Sequence, residues 1–311
     1  MSEALATLVE TELAAPAPEP VVAFARHLAD AWRDAAILYY GSTLRTGDLS
    51  GVLDFYRLTR APHRRGVRGL VERVLWPEVS YHEFEAGGRT LRGKVATLPL
   101  STFRRAAEGR TLDTTIWARF VQPAQLVWSA DPAAGALATA AVAEAVKTAS
   151  RYAAALGPAE GPPEAYWSAL FQRTYATEFR VESLERAGHV LASGADRYGR
   201  LLPLAWAAAD VGFEASGETL RPHKRRLPGF GLRSLAGKPL GLARIAKAAF
   251  TFEGAARYAA SKIARHTGVE IEVTPFRERF PLLAAPMVLW KLRRAKRQAE
   301  ARRARLSSPN S

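Results

Sequence analysis

Apolar residues recur at helical spacing over Val21–Trp32, where Val22, Phe24, Ala25, Leu28, Ala29 and Trp32 share one side. A proline-rich stretch, Ala15–Pro20, separates this helix from a short N-terminal one. Ala35–Tyr40 is short, apolar and aromatic and stops at Gly41, the pattern of a buried strand. After a polar segment from Gly41 to Gly51, Val52–Leu58 reads as a second strand. Pro62–Arg73 is a basic helix candidate. Glu78–Glu85 and Arg89–Leu98 flank Ala86-Gly87-Gly88, and paired glycines between two strand patterns predict a hairpin. Ser101 is placed to cap a short helix, and Gln125–Trp128 reads as one more strand.

From Pro132 onward the pattern becomes helical, over Ala133–Ala145 and Glu164–Arg186, with no strand-like runs before about residue 220. Arg221–Pro239 holds Pro222, Pro228, Pro239, Gly229, Gly231 and Gly237, which predicts a loop or linker. Two basic helical segments follow, Leu240–His266 and Pro286–Leu306. The expected organisation is an α+β unit over residues 1–130, a helical unit over 131–220 and a basic, amphipathic helical region over 221–311. No internal repeat is visible.

Charge sharpens this division. Residues 1–220 carry 23 basic and 25 acidic side chains, whereas residues 221–311 carry 21 basic and 5 acidic. The first part reads as an ordinary catalytic or binding body, and the last as an attachment surface for a polyanion, either a nucleic acid or an anionic bilayer. The absence of cysteine excludes a thiol nucleophile, a disulfide scaffold and a cysteine-based zinc site. No apolar run reaches the eighteen or so residues of a spanning helix. The first twenty residues contain acids and no Lys or Arg, which suits neither a secretory signal nor a mitochondrial presequence.

The sharpest local feature is a strand ending in Gly41-Ser42, followed by a loop and a second strand carrying Asp54. A glycine lets backbone amides approach a triphosphate, the serine hydroxyl adds a donor, and a strand carboxylate holds Mg²⁺ beside the α-phosphate. The arrangement resembles polymerase-β-like nucleotidyltransferases, although Asp54-Phe55-Tyr56 offers one carboxylate where those enzymes show two. A tight turn with an edge aspartate fits the same residues. Glu178 is a candidate second carboxylate supplied by the helical unit, or else a surface acid, and Asp48 is its local rival. Arg92 and Lys94 fall on one strand face by period two, as a solvated face or an anion grip, and Arg119 is a further cation. His82 and Glu83 read as structural or groove-lining.

Tyr40-Gly41-Ser42, Leu53-Asp54-Phe55, Gly88–Val95 and Trp117–Pro123 occur in that order, with Tyr175–Arg180 and Phe250-Thr251 through Tyr258 and Lys262 beyond them. Together these segments resemble the mitochondrial-type phosphatidate cytidylyltransferases, the peripheral CDP-diacylglycerol synthases of the translocator assembly and maintenance family, across about residues 35–266. The sequence has Thr43 where that family shows a second glycine. It has Arg92 and Gln122 in place of two family lysines, and Glu178 in place of an aspartate. The resemblance implies a polymerase-β-like domain followed by a helical domain, and a Mg²⁺-dependent reaction of CTP with phosphatidic acid that yields CDP-diacylglycerol and pyrophosphate. It implies that Asp54 and Glu178 are catalytic and hold the metal, and that Tyr40, Gly41 and Ser42 bind the nucleotide. Arg92, Lys94 and Arg119 then form an anion pocket for the phosphate of the lipid acceptor or of the nucleotide.

Phe280–Trp290 leads directly into an arginine-rich stretch. That combination predicts a helix lying in the interface of an anionic membrane, with a solvated basic tail as the plain alternative. The expected location is peripheral, on the cytoplasmic face of a bacterial inner membrane, with no nucleic-acid partner because no aromatic-interleaved RNA-binding module is present. The rival functions are a nucleotidyltransferase with another acceptor, and a catalytically degenerate fold acting as a membrane-binding module.

Overall fold

The structure is a computed structural model. It describes residues 3–61, 66–177, 194–223 and 230–251, together with residues 188, 190–192, 254, 256, 257, 260 and 274. Glu178 and the segment from Phe280 to Leu306 lie outside the described residues.

Five strands, β1 (Asp34–Tyr40), β2 (Val52–Thr59), β3 (Glu78–Ala86), β4 (Arg89–Pro99) and β5 (Ala124–Ser129), form one sheet in the order β3-β4-β2-β1-β5. The sheet is mixed: β2 and β4 are parallel, and every other neighbouring pair is antiparallel. With the helices packed around it, the chain is an α+β protein. The hairpin between β3 and β4 turns on Gly87 and Gly88, both at positive φ (56° and 74°), the backbone that a two-residue hairpin loop demands.

Alternation along the strands sends two sets of side chains to opposite faces. Ile37, Tyr39, Leu53, Phe55, Leu91 and Val95 meet α2 (Glu19–Leu28) through Val21, Phe24, Ala25 and Leu28. Phe24 stands edge-on to Phe55 at 5.6 Å and stacks on Phe84 at 5.2 Å. It also fills the space a side chain at position 93 would need, since a Cβ on Gly93 would lie 2.8 Å from its ring. Removing a fully buried ring of this kind costs about 3–5 kcal/mol.

The other face carries Ala36, Leu38, Tyr56, Leu58, Ala96 and Leu98. It is covered by α5 (Leu100–Ala107), α6 (Thr115–Phe120) and the long α7 (Pro132–Leu156). Behind α7 stand α8 (Pro163–Thr177) and α9 (Ala195–Ala208), while α1 (Glu3–Leu13) closes one side. A single cluster of buried apolar side chains runs from Leu5 to Leu220 through all of these helices. Arg197 ties three of them together: Nε and Nη2 donate to the two carboxylate oxygens of Glu12 at 2.7 and 2.8 Å, and Nη1 donates to the Val121 carbonyl at 2.9 Å. The N-terminus of α7 is capped by Asp131, which accepts from the Ala134 amide at 2.7 Å and pairs with Arg60.

Several elements depart from the sequence expectations for local reasons. The helix expected over Val21–Trp32 is α2, and it stops at Leu28. Asp30 then accepts from the Trp32 amide at 3.1 Å, and this turn leaves Trp32 93% exposed rather than on the apolar face. The helix expected near Ser101 is α5, but it starts one residue earlier behind Pro99 and has no side-chain cap. The polar Gly41–Gly51 segment contains a one-turn helix, α3 (Ser42–Thr46), and Pro62–Arg73 contributes α4 (Gly66–Val74). Strands do occur before residue 220: β6 (Phe213–Ser216) and β7 (Thr219–Pro222) form a small hairpin of their own.

The largest correction concerns Arg221–Pro239, expected as a linker. Phe230–Thr251 is one continuous helix, α10, which runs through Gly231, Gly237 and Pro239. Proline at position 239 removes the bond to the Leu235 carbonyl, but both residues lie on the exposed side, where water can satisfy that carbonyl. The inward side holds the helix by long-range anchors. Arg233 donates to the Thr111 carbonyl and, at 2.7 Å, to that of Gly109. Arg244 pairs with Asp113 and lies 4.7 Å above the Trp76 ring, and Lys247 donates to the Leu75 carbonyl at 3.0 Å.

Candidate functional site

Strand register decides which sequence candidates meet. Tyr40 pairs with Asp54 across β1 and β2, Asp54 with Lys94 across β2 and β4, and Lys94 with Tyr81 across β4 and β3. Cross-strand partners point to the same face, so Tyr81, Lys94, Asp54 and Tyr40 form one row across the sheet. The row lies on the helix-rich face and at the sheet end where β1 gives way to the Gly41 turn.

That turn is folded tightly against the row. Gly41 has φ 101° and ψ −161°, a region that only glycine adopts without strain. A Cβ on Gly41 would lie 2.8 Å from Asp54 Oδ2, closer than an oxygen and a carbon can approach. The glycine therefore lets the backbone at the start of α3 touch the carboxylate. Burial pushes the Tyr39 phenol pKa up, and the nearby negative charge of Asp54 pushes it further the same way.

Arg119 comes to the row from α6. Its Nη1 donates to the Tyr56 hydroxyl at 2.6 Å, and its guanidinium lies 5.4 Å from the Tyr40 ring centre and 5.8 Å from that of Tyr56. Tyr56 is fully buried, which raises its pKa, while the Arg119 charge opposes the shift and so favours the hydroxyl as an acceptor. Tyr40 packs against Tyr56 and Phe120, so one edge of its ring is fixed by the core.

A second group of polar residues converges from α3, the turn after α6, and α8. Arg45 Nη1 donates to Gln122 Oε1 at 3.3 Å, and Gln122 Nε2 reaches the Tyr175 hydroxyl at 3.4 Å and the Ala118 carbonyl at 3.2 Å. Arg45 was not among the sequence candidates. It lies three residues after Ser42, and that spacing on a helix would have put the two on neighbouring positions. Tyr175 brings the end of α8, three residues before Glu178, to this cluster.

Not every candidate joins the row in the same way. Arg92 shares the face with Lys94 but sits beside Glu83, at 3.8 Å, and Glu83 also accepts from the Tyr81 hydroxyl at 3.0 Å. His82 points the opposite way, with Nε2 2.8 Å from Ser80 Oγ. Ser42 is exposed at the first position of α3. Asp48 is exposed, and its carboxylate accepts from the Ser50 amide and hydroxyl, both at 2.9 Å.

Among the described residues, no three His, Asp or Glu side chains are grouped so that they could hold a metal ion. The half-buried Asp54 carboxylate is an oxygen donor of the kind Mg²⁺ takes, and this cation is commonly held by one or two carboxylates with substrate phosphates and water completing the shell. The row thus combines one carboxylate, a backbone turn free of side-chain bulk, and the cations Lys94 and Arg119, while Arg45 belongs to the second polar group. Such a set can hold a polyphosphate and offset charge that grows on it. No protein-family model matches the chain, and no curated protein matches it.

Proposed function

We propose that this protein is a nucleotidyltransferase of polymerase-β-like fold, acting as a phosphatidate cytidylyltransferase: CTP and phosphatidic acid give CDP-diacylglycerol and pyrophosphate. One observation carries the nucleotidyl-transfer reading, the Gly41 turn pressed against Asp54 in a row with Lys94. The mixed sheet supports the fold assignment, and the ordered segments between Tyr40 and Lys262 support the choice of CTP and phosphatidate.

In this reading Asp54 holds Mg²⁺, with Glu178 as its partner carboxylate. Bound there, the metal would neutralise charge on the nucleotide phosphates. The amides at the start of α3 and the Ser42 hydroxyl receive the triphosphate. Arg45, held by Gln122, would add a guanidinium for its outer phosphates. Lys94 and Arg119 orient the acceptor phosphate, whose oxygen attacks the α-phosphorus as pyrophosphate leaves. Arg92 contributes more weakly because Glu83 competes for it. No proton needs to be removed from an ionised phosphate acceptor, so these groups position and compensate charge.

The test is an acceptor and donor panel. Purified protein with Mg²⁺ should convert labelled CTP in the presence of phosphatidate, and should be slower with ATP, GTP or UTP. Transfer to a short RNA instead of phosphatidate would keep the nucleotidyltransferase and overturn the lipid acceptor. Loss of all transfer, with retained binding to anionic vesicles, would favour a degenerate fold serving as a membrane module.

A further inference from the structure

Helix α10 is amphipathic in the inverse sense. Its cations Arg233, Arg244 and Lys247 face the body and are spent on Gly109, Thr111, Asp113 and Leu75. Its leucines face outward: Leu232, Leu235 and Leu242 are 65%, 75% and 59% exposed. The spacing of three and then seven residues puts them along one stripe, which also carries the exposed Lys238 and Pro239.

The stripe is not isolated. The Arg233 and Arg244 anchors bracket Leu112, and the Lys247 anchor grips the residue after Val74, one turn beyond Val71. Leu112, Val71 and Val74 are all exposed. Six of the eight large apolar residues exposed among the described residues are therefore gathered around one helix. Scattered surface leucines need no explanation, but a gathered set marks an interaction surface.

We infer that this face, built by α10 with Leu112 and the end of α4, is the surface that lies in the headgroup region of an anionic bilayer. Three features select that occupant. First, the outward stripe of α10 carries Lys238 and no acid, and Arg73 and Arg110 are exposed in the segments that hold Val74 and Leu112, so the cations available on this face complement anionic headgroups. Second, a nucleic acid would have no use for the outward leucines, and a second copy would oppose Lys238, Arg73 and Arg110 with the same like charges. Third, no helix among the described residues is long and apolar enough to cross a membrane, and Pro239 leaves the Leu235 carbonyl needing a donor on the exposed side. Both features suit a helix lying at the level of water and headgroups.

This surface rests on the lipid-acceptor reading for its purpose, and it leads towards the site. Beyond α10, Gly254 packs on β3 so closely that a Cβ there would lie 2.7 Å from the Tyr81 carbonyl oxygen. Tyr81 is the neighbour of Lys94 in the row with Asp54. A phosphate whose acyl chains stay in the bilayer would thus be met from the β3 edge.

The experiment uses the full chain and phosphatidylcholine vesicles with and without phosphatidylglycerol. Leu232→Gln/Leu235→Gln/Leu242→Gln should weaken affinity for the anionic vesicles by on the order of a hundredfold, because three apolar side chains no longer enter the interface. Its melting curve should not move, since all three leucines are outside the core. Lys238→Glu should weaken binding less, and only at low salt. Unchanged vesicle affinity in the triple variant overturns the inference. So does a change of oligomeric state in vesicle-free solution with vesicle affinity intact, which assigns the face to a second copy. If the triple variant melts early, Lys238→Glu decides, and low-salt binding equal to wild type overturns the inference. Turnover of a water-soluble short-chain phosphatidate should be equal in wild type and the triple variant. No turnover by either would count against the proposed reaction while the vesicle comparison still decides the face.

Discussion

Replacing Gly41 by alanine puts the account of the site under the most specific stress. The new Cβ would have to occupy a point 2.8 Å from Asp54 Oδ2, while the backbone sits at φ 101° and ψ −161°. Holding a non-glycine residue in such a conformation costs about 1–3 kcal/mol. The contact itself can be relieved only by turning the Asp54 carboxylate away or by opening the turn. In the proposed mechanism, either movement would separate the oxygen assigned to Mg²⁺ from the backbone amides assigned to the triphosphate. A displacement on the order of 1 Å at reacting groups costs about a hundredfold in rate. Gly47→Ala is the matched control. It also places alanine at positive φ (71°), at the C-terminal end of α3, but nothing lies within 4 Å of its Cβ. Strain there is about 1–2 kcal/mol, with no path to Asp54. Thermal melts should therefore show modest losses for both variants, whereas turnover of CTP with phosphatidate should collapse only for Gly41→Ala. Equal turnover in the two variants, or wild-type turnover in Gly41→Ala, would refute the claim that this glycine exists to bring the turn onto the carboxylate.

Other perturbations separate positioning from stability. Arg119→Lys keeps a charge but loses the planar contact with Tyr40 and the bond to the fully buried Tyr56 hydroxyl, so KM for the acceptor should rise about tenfold or more and unfolding stability should fall by about 1–3 kcal/mol. Arg197→Ala strands the Glu12 carboxylate and the Val121 carbonyl, and should lower unfolding stability by about 2–4 kcal/mol in denaturant titrations without a specific effect on KM. Asp131 has its pKa lowered, first by the Ala134 amide and then by Arg60. A lowered folded-state pKa stabilises above the unfolded pKa and is lost as pH falls through the folded value. The Tm gap between wild type and Asp131→Ala should therefore be full at neutral pH and close on acidification below the usual carboxylate range.

The parts of the fold legible in the sequence are those whose signals are local. Gly87-Gly88 announced the β3–β4 hairpin because positive φ at two adjacent positions leaves few other residues. Gly41 marked the end of β1 for the same reason, and Arg92 and Lys94 share a face simply because strands have period two. The α10 helix was hidden because Gly231, Gly237 and Pro239 are helix breakers in isolation. What holds it are partners more than a hundred residues away, at Gly109, Thr111 and Asp113. The β6–β7 hairpin was hidden by its length, four residues a side, with little apolar alternation to read. The Tyr40–Asp54–Lys94 row could not be read either, because β4 reaches β2 by a parallel crossover whose register no local pattern encodes. Arg45 was missed because the segment after Gly41 read as an irregular loop, and only a helical turn there gives its spacing from Ser42 any meaning.

The measurement that bears most directly on the central claim is the fate of the two ends of the triphosphate. Wild-type protein, Mg²⁺ and vesicle-borne phosphatidate would be incubated in parallel with CTP labelled at the α-position and at the γ-position. The account predicts that α-label moves into the lipid extract, that γ-label appears only as pyrophosphate, and that Asp54→Asn stops both with its melting curve unchanged. Label from the γ-position in the lipid, or undiminished transfer by Asp54→Asn, would contradict it.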